Sequence, residues 1–108
     1  MDFLKLFVEY LSSQKNNASK ATIKNYRADV GKFIRWFETE FRKPFNSKDI
    51  TPQLIEVYKK SRVQYLSSSQ EKLSPRSLER HLSSLRKFLH FLKIEGIISK
   101  NPFETISN

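Results

Sequence analysis

The chain has 108 residues, a formal net charge of +9, no cysteine and two histidines. This length fits one domain with a single core, the lack of cysteine excludes disulfides and thiolate metal sites, and two histidines alone cannot build a zinc site. Nine Phe, four Tyr and one Trp, set against only two Gly and four Pro, favour a helical fold over a turn-rich β fold. We expect neither a cofactor nor a metal.

The N-terminal residues have neither the basic start nor the long apolar run of a secretory signal. No stretch approaches the roughly 18 consecutive apolar residues of a membrane span. We therefore expect a cytoplasmic protein without a membrane partner.

The first predicted helix runs from Asp2 to about Gln14, because Phe3, Phe7 and Leu11 recur at helical spacing. Asp2 is a suitable N-cap residue. The polar run 12–17 loses this periodicity and predicts a loop.

A second, longer helix is predicted to start at the N-cap residue Ser19. It should end near Phe41, because Lys43 precedes Pro44 and is biased away from helical geometry. Its apolar stripe consists of Ile23, Val30, Ile34 and Phe37.

The third predicted helix opens with Thr51-Pro52, a capping hydroxyl followed by a proline at the first helical position. Its apolar residues extend from Leu54 to Leu66. The polar run 67–72 predicts a loop.

The fourth predicted helix opens with the same device, Ser74-Pro75. It carries one apolar line, flanked by Phe88 and made of Leu78, Leu82, Leu85, Leu89 and Leu92. Gly96 is a suitable C-terminal cap. Beyond it Ile97-Ile98 can fold back on the core, and 101–103 predict a short terminal turn.

The second and fourth helices are similar at an offset of 55 residues. The matched pairs are Ser19 with Ser74, Thr22 with Ser77, Ile23 with Leu78, Val30 with Leu85, Phe33 with Phe88, Ile34 with Leu89 and Phe37 with Leu92. Two readings stay open: the helices do equivalent work, or any two capped amphipathic helices align in this way.

Positive charge is concentrated in these two helices. Residues 19–43 hold seven basic and three acidic residues, and residues 74–93 hold five and one, so the two segments supply +8 of the +9. On the fourth helix Arg76, Arg80 and Lys87 fall within about 40° of one another, opposite the leucine line and flanked by Ser83 and Ser84. Such a stripe can lie along DNA, although it can also be an ordinary solvated face.

The second helix presents a comparable basic side. Lys20, Lys24 and Arg35 share it, with Asn25 and Lys32 around the curve. The hydroxyls of the first turn and its unpaired backbone N–H groups suit a phosphate.

No enzymatic motif is present: there is no Gly-rich phosphate loop, no paired carboxylates in a plausible cleft and no nucleophilic serine motif. His81, at the edge of the leucine line, is expected to be packed or half-buried, and Trp36 covers the edge of the core or meets a neighbouring chain. The four tyrosines lie in helical patterns and are expected to pack. We expect this chain not to be an enzyme.

Three blocks of sequence carry a family resemblance. They are residues 18–30 with the pattern S-x-x-T-h-x-x-Y-x-x-D-h (h apolar), residues 73–92, and the exit segment 96–103 with its Asn-Pro pair. Together they resemble the N-terminal core-binding domain of tyrosine recombinases, the phage-integrase and Xer-like family. The resemblance covers nearly the whole chain.

The resemblance implies an all-α fold, a four-helix SAM-like orthogonal bundle with a short C-terminal helical turn, over residues 1–108 as a single domain. In this family the domain forms half of a clamp around the recombination site, and its second and fourth helices approach the major groove. The implied partners are double-stranded DNA, the C-terminal catalytic domain of the same protein and other recombinase subunits. The implied DNA contacts are Ser19, Lys20, Thr22, Lys24, Arg76, Ser77, Arg80, Ser84 and Lys87.

The family's catalytic tyrosine and its Arg, Lys, His and Arg set belong to a larger C-terminal domain. Neither His81 nor His90 begins the family's H-x-x-R signature, so the resemblance implies a portion of a longer recombinase. Tyr26 and Asp29 fall on the motif and are expected to be architectural.

Two alternatives remain at this level. One is a helical protein-interaction or subunit-assembly module with a basic face. The other is binding of RNA or single strands, which is disfavoured because base stacking needs exposed aromatic residues and these fall on core stripes.

Overall fold

A computed structural model describes residues 2–13, 18–67 and 74–104 of the chain. Within these ranges the fold is all-α, as predicted, with no strand. The four α-helices are α1 (Phe3–Ser12), α2 (Lys20–Phe41), α3 (Pro52–Ser67) and α4 (Pro75–Ile94), and two short 3-10 turns occupy Ser47–Asp49 and Pro102–Glu104. No helix in the described ranges combines the length and apolar character needed to cross a membrane.

The chain forms two compact units, Met1–Pro44 and Phe45–Asn108. In the first unit α1 packs against α2. Phe7, Val30 and Phe33 are completely buried, and the Phe7 ring lies 6.1 Å from that of Tyr26. Val30 and Phe37 of the stripe predicted for α2 lie in this core, whereas Ile23 and Ile34 are only half-buried and Phe33 and Trp36 are buried beside them.

α1 begins as predicted and ends earlier than predicted. The Asp2 side chain accepts a hydrogen bond from the Lys5 N–H at 3.0 Å. At the other end Ser13 is extended, and its hydroxyl donates to the Tyr10 carbonyl at 2.8 Å. This local bond competes with continuation of the helix, so the helix stops at Ser12. Gln14, the predicted end, lies outside the described residues.

α2 ends at Phe41, as predicted from Pro44. The residue after it, Arg42, adopts the left-handed conformation with φ 54°, and its N–H donates to the Glu38 carbonyl at 3.0 Å. This closes the last helical turn before the chain enters the second unit.

In the second unit, α3 starts at the predicted cap. The Thr51 hydroxyl oxygen accepts from the Leu54 N–H at 3.0 Å, and Pro52 occupies the first helical position. The 3-10 turn Ser47–Asp49, which precedes α3 in the chain, was not predicted from the sequence. Its signal was Asn46-x-x-Asp49, which forms a reciprocal capping box.

α4 ends in a Schellman motif centred on Gly96. This glycine has φ +72°, its N–H donates to the Lys93 carbonyl at 3.0 Å, and the Ile97 N–H donates to the Leu92 carbonyl at 2.9 Å. The Ile98 N–H also donates to Leu92, so the chain turns back as predicted and Ile97 and Ile98 are half-buried. The predicted terminal turn is the 3-10 turn Pro102–Glu104.

Candidate nucleic-acid interface

α4 divides lengthwise into a buried half and an exposed half. The buried residues are His81, Leu82, Ser84, Leu85, Phe88, Leu89, Phe91 and Leu92. At about 100° per residue they cover an arc of roughly 180°, wider than the leucine line alone. The remaining half of the helix faces solvent.

The predicted basic stripe lies at one edge of the exposed half. Arg76 and Arg80 are exposed and Lys87 is half-buried. Arg76 makes no ion pair with any residue that the structure describes. Arg80 Nη2 lies 3.5 Å from His81 Nε2, and because a guanidinium can only donate, that histidine nitrogen is the acceptor.

Ser84 lies on the buried half of α4 and is only 1% exposed. On the helical wheel Ser84 lies near the edge of the stripe but also close to Phe88 and Phe91, which are buried as well. Phe91 is seven residues further on and only about 20° away on the wheel, but the wheel does not show that the side of α4 carrying both residues is buried. Ser83, on the other flank of the stripe, is exposed.

α2 presents its basic side to solvent over its first four turns. Lys20, Lys24 and Arg35 are exposed, as predicted, and none of them forms an ion pair within the described ranges. The acidic residues lie elsewhere: Asp29 is 1% exposed, and Glu38 and Glu40 follow at the far end of the helix. The N-terminal part of α2 therefore has an exposed surface that is uniformly positive.

The helix starts of α2 and α4 have the same local structure, as the 55-residue offset suggested. Ser19 accepts from the Thr22 N–H at 3.1 Å, and its hydroxyl donates to Thr22 Oγ1 at 2.8 Å. Ser74 accepts from the Ser77 N–H at 3.1 Å and donates to Ser77 Oγ at 3.1 Å. The two helices thus share one cap structure, which both readings of the offset allow.

This geometry divides the hydroxyls by role. Each capping serine uses both its acceptor and its proton within the helix start. The hydroxyl protons of Thr22 and Ser77 have no acceptor among the described residues, and both side chains are half-exposed. Thr22 and Ser77 are therefore the hydroxyls that can donate to a phosphate.

Because Ser74 caps the helix and Ser77 does not, replacing each by alanine should have different effects on the stability of the chain. We expect Ser74→Ala to lower the free energy of unfolding by about 1 kcal/mol, because the cap acceptor is lost. Ser77→Ala should change it by less than about 0.5 kcal/mol, since the cap uses the Ser77 backbone N–H. Urea denaturation followed by circular dichroism measures both, and equal effects would contradict the assigned roles.

The remaining singled-out residues pack as expected. His81 is 1% exposed, Trp36 8% and Tyr58 0%, while Tyr10 and Tyr26 are half-buried. Tyr65 lies outside the described side chains. Trp36 stacks at 6.0 Å on Phe33, within its own helix.

Comparison with known proteins gives a consistent result. Residues 4–96 match the family described as phage integrase, N-terminal SAM-like domain, and the match extends over both compact units. The chain is 41% identical over 105 residues to a tyrosine recombinase XerC of Anoxybacillus flavithermus, covering 96% of the chain and 32% of that protein. It is 34% identical over 106 residues to a tyrosine recombinase XerC of Bacillus subtilis, covering 97% and 32%.

A third relative has a different name. The chain is 28% identical over 98 residues to the TnP I resolvase of Bacillus thuringiensis, covering 89% of the chain and 31% of the resolvase. The chain thus spans about a third of the length of these curated relatives. No solved structure gives a significant match.

Proposed function

The chain belongs to the phage integrase N-terminal SAM-like domain family, and on that premise we propose that it is the duplex-binding N-terminal domain of a site-specific tyrosine recombinase. Its contacts come from α2 and α4. The observation that carries the proposal is the solvent-facing positive charge on these two helices. Together with the residues that flank them, the two helices supply +8 of the net charge of +9.

The proposed contact set is smaller than the set that the resemblance implies. Ser84 is left out because it is 1% exposed. Ser19 acts through the helix start, which it caps, and the outward hydroxyl contacts come from Thr22 and Ser77. The charged contacts are Lys20, Lys24, Arg76, Arg80 and Lys87.

Phosphate contacts should dominate the affinity. Lysine ammonium groups and the hydroxyls bind backbone oxygens, which position a protein on a duplex without reading its sequence. Arg76 and Arg80 can also reach guanine edges, because a guanidinium can bind O6 and N7 together. The α4 stripe is therefore the part of the surface suited to base recognition.

Strand cleavage belongs, in this proposal, to a C-terminal catalytic domain of the same protein. The relatives named tyrosine recombinases are about three times as long as the matched region, which leaves room in them for such a domain. Other recombinase subunits on the same DNA are the further partners.

The test of the proposal is the salt dependence of duplex binding. With about four to six phosphates contacted, the logarithm of the association constant should fall with the logarithm of salt concentration with a slope of about −4 to −5. Fluorescence anisotropy of a labelled duplex, titrated between about 50 and 200 mM NaCl, measures this slope. Affinity that does not change with salt, or binding to a protein partner without any duplex binding, would contradict the proposal.

A further inference from the structure

The second unit contains a cavity that the proposed DNA contacts do not use. It measures about 360 Å³ and lies at the start of α3, where the 3-10 turn Ser47–Asp49 and the chain after α4 also line it. Its polar lining includes Lys48, Thr51, Lys100 and Asn101. Residues about 50 positions apart in the sequence thus meet at one opening.

The charge at this cavity is positive. Lys48 and Lys100 are exposed, and neither forms an ion pair with any residue in the described ranges. No carboxylate is among the described residues that line the cavity. Asp49, beside Lys48 in the chain, has its carboxylate turned to the Asn46 N–H, from which Oδ2 accepts at 3.0 Å.

Asn101 supplies the feature that points to a ligand. It is only 8% exposed, and its Oδ1 accepts from the Phe103 N–H at 3.0 Å. Because that bond identifies the oxygen, the other branch of the amide is the NH₂ group, a donor. This donor has no acceptor among the described residues, so it is available to a ligand in the cavity that Asn101 lines.

The start of α3 adds a further donor and further positive potential to the cavity. Thr51 Oγ1 accepts from the Leu54 N–H at 3.0 Å, so its hydroxyl proton can be donated outward. The positive end of the helix dipole lies at this terminus, and the first helical residue, Pro52, carries no N–H of its own. The cavity therefore offers donors and positive charge, and no anion competes among the described residues that line it.

We propose that this cavity binds one phosphate-type oxyanion, held by the ammonium groups of Lys48 and Lys100, the Asn101 amide and the Thr51 hydroxyl. Charge-assisted hydrogen bonds of this kind are the stronger ones in proteins. The anion comes either from the DNA backbone, a version that rests on the proposed function, or from free phosphate. The two sources share the same chemistry and differ in what loss of the site does to duplex binding.

The first experiment titrates sodium phosphate into the chain at constant ionic strength and follows ¹H–¹⁵N correlation spectra. The Asn101 side-chain NH₂ signals and the backbone amide signals of Lys48 and Lys100, which every variant retains, should shift and saturate. Asn101→Asp keeps an oxygen to accept from the Phe103 N–H but replaces the amide donor with a carboxylate, so phosphate binding should weaken at least about tenfold with an unchanged melting temperature.

Two lysine pairs provide a matched comparison. K48Q/K100Q should also weaken phosphate binding about tenfold or more. K5Q/K60Q removes the same charge from two exposed lysines outside the cavity and the proposed DNA contacts, and it should bind phosphate as the parent chain does. Absence of a saturable shift, or the same saturable shift of the Lys48 and Lys100 backbone amide signals in the Asn101→Asp variant, would overturn the proposal.

The second experiment identifies the source of the anion. If it is a DNA phosphate, K48Q/K100Q should reduce the magnitude of the log–log salt slope for duplex binding by about 1 relative to K5Q/K60Q. Equal slopes together with phosphate binding would assign the cavity to a free anion. Duplex binding without phosphate binding would contradict this inference and leave the proposed function intact. Phosphate binding without duplex binding would contradict the proposed function and leave the phosphate site intact.

Discussion

Reversing the charge of Arg76 and Arg80 together is expected to weaken duplex binding about a hundredfold at about 100 mM salt. Each substitution removes a proposed charge-assisted contact to DNA, worth about tenfold or more, and places a carboxylate near the proposed phosphate positions. Both side chains are exposed on the outer half of α4, opposite Leu85 and Leu89. Helical content should therefore stay as in the parent chain.

Anisotropy titration of a labelled duplex measures the loss, and circular dichroism reports folding. K5E/K60E is the matched control, because it makes the same change of net charge outside the proposed contacts. Arg80 also lies 3.5 Å from His81, so Arg76→Glu alone separates DNA contact from any effect of that neighbour on stability. A folded double variant that binds duplex as well as K5E/K60E does would move the site away from α4.

Leu85→Ala is expected to lower the free energy of unfolding by about 2–5 kcal/mol. Leu85 is 0% exposed, and truncation of a buried leucine loses its transfer free energy and leaves a cavity in the packing. Small domains are stable by only about 5–15 kcal/mol, so this single change removes a large share of the total. Urea denaturation monitored by circular dichroism gives the value.

The same helix contains the control. Ile94 is 54% exposed, and Ile94→Ala deletes a side chain of similar size that is largely in water. The expected loss is within about 0.5 kcal/mol. Similar losses for the two variants would mean that the division of α4 into a buried and an exposed half is wrong.

Local sequence signals were sufficient for the positions of the helices. The serine and threonine caps, the prolines at the first helical positions and Gly96 all act within one helical turn, so their partners are near in sequence and can be predicted. The same holds for the end of α2 before Pro44. α1 ended two residues before the predicted Gln14, where the Ser13 hydroxyl donates to the Tyr10 carbonyl.

The candidate site was predicted less completely. A helical wheel correctly placed Arg76 and Arg80 opposite the leucine line, because the angle between two residues of one helix depends only on their separation. It could not say how wide the buried arc would be, since that width depends on what packs against the helix. Ser84 was therefore assigned to the contact surface, although it is buried, and Ser83 was passed over.

The helical class of the fold, the capped helix starts and the two basic segments could be predicted without a structure, because each of these follows from residues that are neighbours along the chain. The burial of Ser84 became evident only in the folded chain. The same is true of the cavity that is lined by Lys48, Thr51, Lys100 and Asn101. Those facts depend on contacts between segments far apart in sequence. No periodicity or spacing within a single helix carries that information.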